Sequence, residues 1–251
     1  MQFRKIFAPI AILFVLLAAC SDGPSAEEQI YEHLEKAVTL EDAFREQQQP
    51  IVELEQKEQE LYNEIINLSM EEFDKIQELS KEASTLADQR LEKLELEKES
   101  IDAAKEEFDK IDELIEDIDE EKADAKEKAK ALDEKMQQRY DAYQNLYDVY
   151  KEAVAYDKEL YEMLQNEELK EEELREQIDK VNESYKKVIE ANQSFNTLTE
   201  EYNTLKKEFY EAAGLDVEYE EQEGKENGSA EENQDNQEDQ DSNDTEKDTE
   251  E

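Results

Sequence analysis

The sequence predicts an all-α protein: long amphipathic helices in an elongated antiparallel helical bundle or coiled coil, with a disordered acidic C-terminal tail. Residues 25–213 contain no glycine and one proline, Pro50, whereas strand-rich and α/β folds need turn residues about every 8–12 positions. Good helix formers (Glu, Lys, Leu, Gln and Ala) fill this stretch instead. Apolar residues recur there in alternating steps of three and four, the pattern of a helix face buried in a bundle.

The charge of the chain limits what it can bind. The 251 residues include 74 acidic and 29 basic side chains, a formal net charge of −45. Nucleic acid is therefore not an expected partner, because binding to it depends on lysines and arginines that neutralise phosphates. The chain has one cysteine, which excludes a disulfide framework.

Residues 1–19 are predicted to be a signal peptide of the lipoprotein type. Arg4 and Lys5 form a short basic region, and residues 6–17 form an apolar run that is short for a transmembrane helix of about 20 residues. Small residues then precede Cys20. This order of segments is typical of a secreted protein.

The segment Leu17-Ala18-Ala19-Cys20 resembles the lipobox of bacterial lipoproteins. The resemblance implies a diacylglyceryl group on the sulfur of Cys20 and a signal peptidase that recognises Leu17, Ala18 and Ala19. Two acyl chains are enough for stable anchoring. We therefore expect a lipidated Cys20 with a tether over 20–25 and a location on the extracytoplasmic face of the cell membrane.

The helical domain is predicted to span 26–213 and to contain four segments of similar length. Ser69 and Glu72 have the spacing of a capping box, Asn166 is a candidate cap for a helix that starts near Glu167, and Gly214 suits the position after a helix end. A third turn is expected in the acidic stretch 117–121. The segments that result are 26–67, 70–117, 121–165 and 168–213.

Two alternatives remain open for this domain. Equal segments suit antiparallel neighbours in a bundle, but the apolar register also continues without interruption through 73–164, which would allow one extended coiled coil. Pro50 would kink the first segment or split it in two.

The tail, 214–251, is predicted to be disordered. From residue 216 onward it holds 17 acidic residues and two lysines, with almost no apolar side chains to bury. Residues 239–244 partly resemble a calcium-binding EF-hand loop, but the glycine at the sixth position is missing. Weak, non-specific binding of divalent cations is the most that this segment predicts.

No catalytic residue, metal ligand or cofactor is predicted. His33 is the only histidine, and with Glu32 and Glu35 beside it we interpret it as a surface residue, because a metal site needs three or four convergent ligands. A catalytic nucleophile–histidine pair could form only through His33, and the sequence has no glycine-rich phosphate-binding loop.

A row of tyrosines has two interpretations. Tyr140, Tyr143, Tyr147 and Tyr150 share one helical face, and Tyr156 and Tyr161 follow. Such rings could stack on sugars of a wall polymer, but their place on or beside the apolar seam favours a role in the core.

Several segments together resemble the YkyA-like family of cell-wall-binding lipoproteins of Gram-positive bacteria. The resemblance covers about residues 1–215 and depends on five stretches: 17–20 (LAAC), 30–36 (IYEHLEK), 50–55 (PIVELE), 157–164 (DKELYEML) and 207–215 (KEFYEAAGL). It implies a lipoprotein at the membrane–wall interface and no functional residue beyond Cys20.

The function expected from these observations is that of a non-enzymatic, membrane-anchored interaction platform. Its partners would be the membrane, through the lipid, and peptidoglycan or other envelope proteins. Residues 20–215 carry 57 acidic and 25 basic side chains, so attraction to an anionic wall would need bridging divalent cations. The alternative is an extracytoplasmic holdase-type chaperone that grips clients between its helices.

Overall fold

The computed structural model describes residues 23–217. Within this range every regular element is helical, and two short 3-10 turns, Met70–Glu72 and Glu120–Lys122, precede the third and fifth α-helices. The α-helices of the range are α1 (Ala26–Leu40), α2 (Asp42–Ile65), α3 (Phe73–Phe108), α4 (Ile111–Glu116), α5 (Ala123–Met163) and α6 (Glu171–Ala213). The predicted signal peptide 1–19, Cys20 and all but the first residues of the predicted tail lie outside the described residues.

The helices form an antiparallel four-helix bundle in which α1–α2, α3–α4, α5 and α6 run in alternating directions. Cross-helix hydrogen bonds define the order: α2 pairs with α3, α3 with α5, and α5 with α6. The stretch between α4 and α5 turns the chain back. The bundle is therefore confirmed, and the single extended coiled coil over 73–164 is wrong.

Two predicted turns and one predicted helix end are confirmed, and one predicted cap is wrong. Ser69 and Glu72 form the capping box, the chain breaks its helix at 117–119, and Gly214 closes α6 with a left-handed φ of 72°. Asn166 does not cap a helix near Glu167. Its side chain accepts a hydrogen bond from the backbone N–H of Glu168 within the turn, and α6 begins only at Glu171.

The interruption of the first segment lies at Glu41 rather than at Pro50. Pro50 lies within α2, so of the two alternatives for that residue, a kink or a split, the split is wrong. At the break, the Ser100 hydroxyl of α3 donates to the carbonyl of Leu40 (2.6 Å) and accepts from the N–H of Phe44 (3.0 Å). A hydroxyl inserted into the backbone hydrogen-bond ladder is a recognised cause of helix breaks.

The predicted apolar seam forms the core. Apart from the partly buried Phe73, its residues in α3, α4 and α5 are buried, and one core cluster joins α2, α3, α5 and α6. Tyr143, Tyr147, Tyr150 and Tyr161 are buried in this interior, whereas Tyr140 and Tyr156 are half-buried. The core interpretation of the tyrosine row is confirmed for the four buried rings, which cannot stack on a sugar.

Candidate functional site

The interior of the bundle contains a cluster of ionisable side chains around Arg90, which we call the Arg90 node. Arg90 lies on α3 with its side chain 2% exposed. Its Nη2 donates to Asp157 of α5 (2.5 Å), and its Nη1 donates to the hydroxyl of Tyr185 of α6 (2.8 Å). Its Nε lies 2.5 Å from Glu58 of α2, an ion pair without hydrogen-bond alignment. The node thus joins all four arms of the bundle.

Burial controls the protonation of this node. Loss of hydration raises the pKa of Glu58 to about 8, although Arg90 acts in the opposite direction. It also raises the pKa of Asp157, against the guanidinium and the Tyr185 hydroxyl. The pKa of Arg90 is raised well above its ordinary value, because the nearby phenols and carboxylates outweigh its own desolvation. Burial thus favours the protonated form of Glu58, while the guanidinium of Arg90 donates to Asp157.

A second buried arginine, Arg139 of α5, holds the break between α1 and α2. Its Nη1 and Nη2 donate to the two carboxylate oxygens of Glu41 at 2.7 and 2.8 Å, and its Nε donates to Thr199 of α6 at 3.0 Å. The guanidinium lies over the rings of Phe195 and Tyr202. Bidentate pairing of this kind fixes geometry as well as charge.

His33 is part of a third ionic cluster. Its Nδ1 lies 2.7 Å from Glu107 of α3, which also accepts hydrogen bonds or ion pairs from Lys36 and Lys110. Burial acts to raise the pKa of Glu107, but hydrogen bonds from Lys110, Lys36 and His33 together hold it at about 2. The His33 side chain stays 30% exposed, which agrees with its interpretation as a surface residue, and it also pairs α1 with α3.

A different kind of feature lies where α2 turns into α3. Two apolar side chains in the stretch 66–72 are largely exposed: Ile66 has 58% and Met70 has 59% of its surface open to solvent. Nearby in the chain, Leu68 and Phe73 pack on a small core cluster. Ile66 and Met70 are thus open to solvent, whereas each nitrogen of the buried Arg90 faces a protein oxygen.

Most of the sites predicted from the sequence lie outside the part of the chain that the structure describes. Leu17, Ala18, Ala19 and Cys20, and the cation-binding stretch 239–244, lie outside the described residues. Within 23–217, no three His, Cys, Asp or Glu side chains are grouped so that they could hold a metal ion. No helix of that range carries an apolar stretch sufficient to cross a lipid bilayer.

Fold and interior define the described part as an antiparallel four-helix bundle fixed by buried arginine–carboxylate clusters. The sequence matches the YkyA family, described as "Putative cell-wall binding lipoprotein", over residues 25–212. The chain belongs to this family. It is 37% identical over 213 residues to a Bacillus subtilis (strain 168) protein named "Uncharacterized lipoprotein YkyA", covering 85% of this chain and 94% of the relative.

A solved structure has the same fold. The 1.6 Å crystal structure of a conserved protein of unknown function from Staphylococcus aureus matches with a TM-score of 0.65 at 20% identity. The match covers 75% of this chain and 97% of that protein. At this level of identity the likeness establishes the fold alone.

Proposed function

We propose that the protein is a non-enzymatic, lipid-anchored platform that presents one end of its bundle to components of the cell wall or envelope. The observation that carries the proposal is the place of the first helix. α1 begins at Ala26, six residues after Cys20, so a lipid on that cysteine would hold the α1 end of the bundle close to the membrane. The family description, which names a cell-wall-binding lipoprotein and no reaction, supports it.

The antiparallel order gives the platform a far end. The α2–α3 and α5–α6 turns both lie opposite the start of α1, because successive helices reverse direction. α5 has 41 residues and α6 has 43, so each is about 60–65 Å long at about 1.5 Å per residue. The far turns would stand that distance from the anchored end.

The anchor is tested first with a point substitution. Cys20→Ala should abolish incorporation of a labelled fatty acid and release the protein from the membrane fraction, whereas Ser21→Ala, next to it, should leave both unchanged. A labelled, membrane-bound Cys20→Ala variant would refute the anchor.

Wall binding is tested separately with lipid-free protein on purified walls. The excess of carboxylates predicts weak retention in low salt, which magnesium or calcium should increase by bridging carboxylates to wall anions. Absence of retention under every cation condition would leave the envelope proteins as the partners of the platform and refute direct wall binding.

One observation favours the holdase-type chaperone as a second candidate. In the first half of α6, Leu174, Ile178, Val181 and Val188 are only half-buried, and Ile189 is exposed. An incompletely covered apolar row is a surface that unfolded clients bind. Suppression of client aggregation that is lost in Val181→Ser/Ile189→Ser would support this candidate, and no suppression by the wild type would exclude it.

A further inference from the structure

The α2–α3 turn presents the most exposed large apolar side chains in the described part of the chain. Ile66 and Met70 are 58% and 59% exposed, ahead of Val52, Leu96 and Ile189 on the helix sides. They are four residues apart in one turn, and Ile66 directly follows Ile65, which belongs to a small core cluster with Ile76 and Leu79. We call Ile66 and Met70 the tip patch.

The backbone that carries the tip patch is held in place. The N–H of Ser69 donates to the carboxylate of Glu72 (3.2 Å), and the N–H of Glu72 donates to the carbonyl of Ser69 (2.9 Å). The side chain of Asn67 donates to the carbonyl of Asn63 (2.7 Å). A preorganised turn loses little conformational entropy when it binds, which favours a recognition surface over a loose loop.

The side chains around the tip patch are mainly acidic, which limits the kind of partner that it can bind. Glu71 and Glu72 lie on the same turn, Glu64 lies at the end of α2 just before it, and all three are exposed. The neighbouring α5–α6 turn, which is tied to α3 by a hydrogen bond from Gln77 to the carbonyl of Gln165 (3.0 Å), adds Glu167 and Glu168. Two of the nearby lysines are paired with carboxylates: Lys75 lies between Glu64 and Glu78, and Lys170 pairs with Glu173.

An apolar centre with a carboxylate rim repels anionic lipid headgroups and anionic wall polymers, and it fits a surface of opposite character. We propose that the tip patch binds a basic amphipathic segment of a partner protein, with apolar side chains on Ile66 and Met70 and lysines or arginines on the surrounding carboxylates. The inference deepens the proposed platform, since it assigns a partner class to the far end, but the binding itself does not require the lipid anchor.

The test measures binding of short fluorescent helical peptides to the lipid-free mature chain (residues 20–251 with Cys20→Ser) by anisotropy. Three peptides serve as probes: an amphipathic Lys/Leu peptide, a Lys/Ser peptide of equal charge, and an amphipathic Glu/Leu peptide. The wild type should bind the Lys/Leu peptide most tightly. Ile66→Ser/Met70→Ser should weaken that affinity about tenfold or more, since two apolar contacts are lost without any change in charge. The matched control, Val52→Ser/Leu96→Ser, should change it less than about twofold.

A second variant tests the rim. Glu64→Gln/Glu71→Gln should weaken Lys/Leu binding by several-fold and reduce its dependence on salt, since two rim carboxylates are lost. Equal affinity for the Lys/Leu and Lys/Ser peptides would overturn the proposal, because charge alone would then explain binding. An equal loss of affinity in the tip and control variants would also overturn it, and so would tighter binding of the Glu/Leu peptide than of the Lys/Leu peptide. The proposal would likewise be wrong if the only change in the tip variant were a loss of self-association. None of these results bears on whether Cys20 carries a lipid, so the platform and the tip patch can fail independently.

Discussion

Replacing Arg90 by methionine removes the only cation from the Arg90 node while keeping most of the apolar volume. The carboxyl groups of Asp157 and Glu58 stay buried, and the Tyr185 hydroxyl loses its arginine partner. Removal of one member of a buried ion pair costs about 3–5 kcal/mol, because the remaining charge stays desolvated. We expect Arg90→Met to lower the free energy of unfolding by that amount near neutral pH.

The loss should depend on pH in a defined direction. The pKa of Asp157 is already raised by burial in the wild type, and without Arg90 it rises further. Folded Arg90→Met therefore keeps a proton that the unfolded chain has released, so its stability falls with rising pH at up to about 1.4 kcal/mol per pH unit. Relative to the wild type, the loss should be small near pH 5 and largest near pH 8.

Equilibrium urea unfolding, followed by far-UV circular dichroism at both pH values, measures this difference. Arg175→Met is the matched control, since the Arg175 side chain is 75% exposed and pairs only with Glu171 one helical turn away. Its effect should stay below about 0.5 kcal/mol. A loss for Arg90→Met that is below about 1 kcal/mol, or that does not change between the two pH values, would refute the assignment of Arg90 as a desolvated partner of the buried carboxylates.

Three further predictions concern Glu97, Ser100 and the acidic tail. Glu97 is buried and accepts a hydrogen bond from the Gln48 amide. Burial, with a smaller contribution from Glu55, raises its pKa to about 8, so stability falls as pH rises from about 4.5 through 8. In urea unfolding Glu97→Gln should therefore gain stability relative to the wild type across that window, and a difference that stays constant with pH would contradict the raised pKa. Ser100→Ala leaves two backbone groups at the helix break without a partner, so thermal unfolding should show a loss of about 1–3 kcal/mol, with the exposed Thr85→Ala as a nearly neutral control. Deletion of 216–251 should leave helicity and melting temperature almost unchanged and raise wall retention in low salt, because it removes 17 acidic residues; weaker retention at every salt concentration would identify the tail as an adhesive segment.

The sequence predicted the four segments because helix faces and most of the helix ends depend on local signals. A capping box, a glycine after a helix and an apolar repeat act over a few residues, and each lies where the pattern placed it. The break at Glu41 could not be predicted in this way. It depends on Ser100 and Arg139, which are distant in sequence and meet this stretch only after α3 and α5 have packed against it.

The sequence did contain a pattern that marks the buried charged residues, but the high charge of the whole chain makes this pattern hard to recognise. In α3 the apolar seam skips positions 90 and 97, in α5 it skips 139 and 157, and in α2 it skips 58. Each skipped position has a buried charged residue in register with the core. In a chain with so many carboxylates these residues look like part of the solvated surface. Only the spacing of three and four marks them as interior.

The same spacing explains why ions are useful in this interior. Glu97 follows Arg90 by seven residues, so a slip of α3 by one heptad would place a carboxylate where the guanidinium now lies, facing Glu58 and Asp157. Three buried acids without a cation would oppose that register far more strongly than apolar packing alone, since an all-apolar seam looks alike from one heptad to the next. An apolar node, made by Arg90→Met, Glu58→Met, Asp157→Leu and Tyr185→Phe, should therefore be as stable as the wild type or more stable in urea. Its amide NMR spectrum should nevertheless show broadened or doubled signals from alternative registers. A single sharp set of signals would show that turns and apolar packing fix the register without help from the ions.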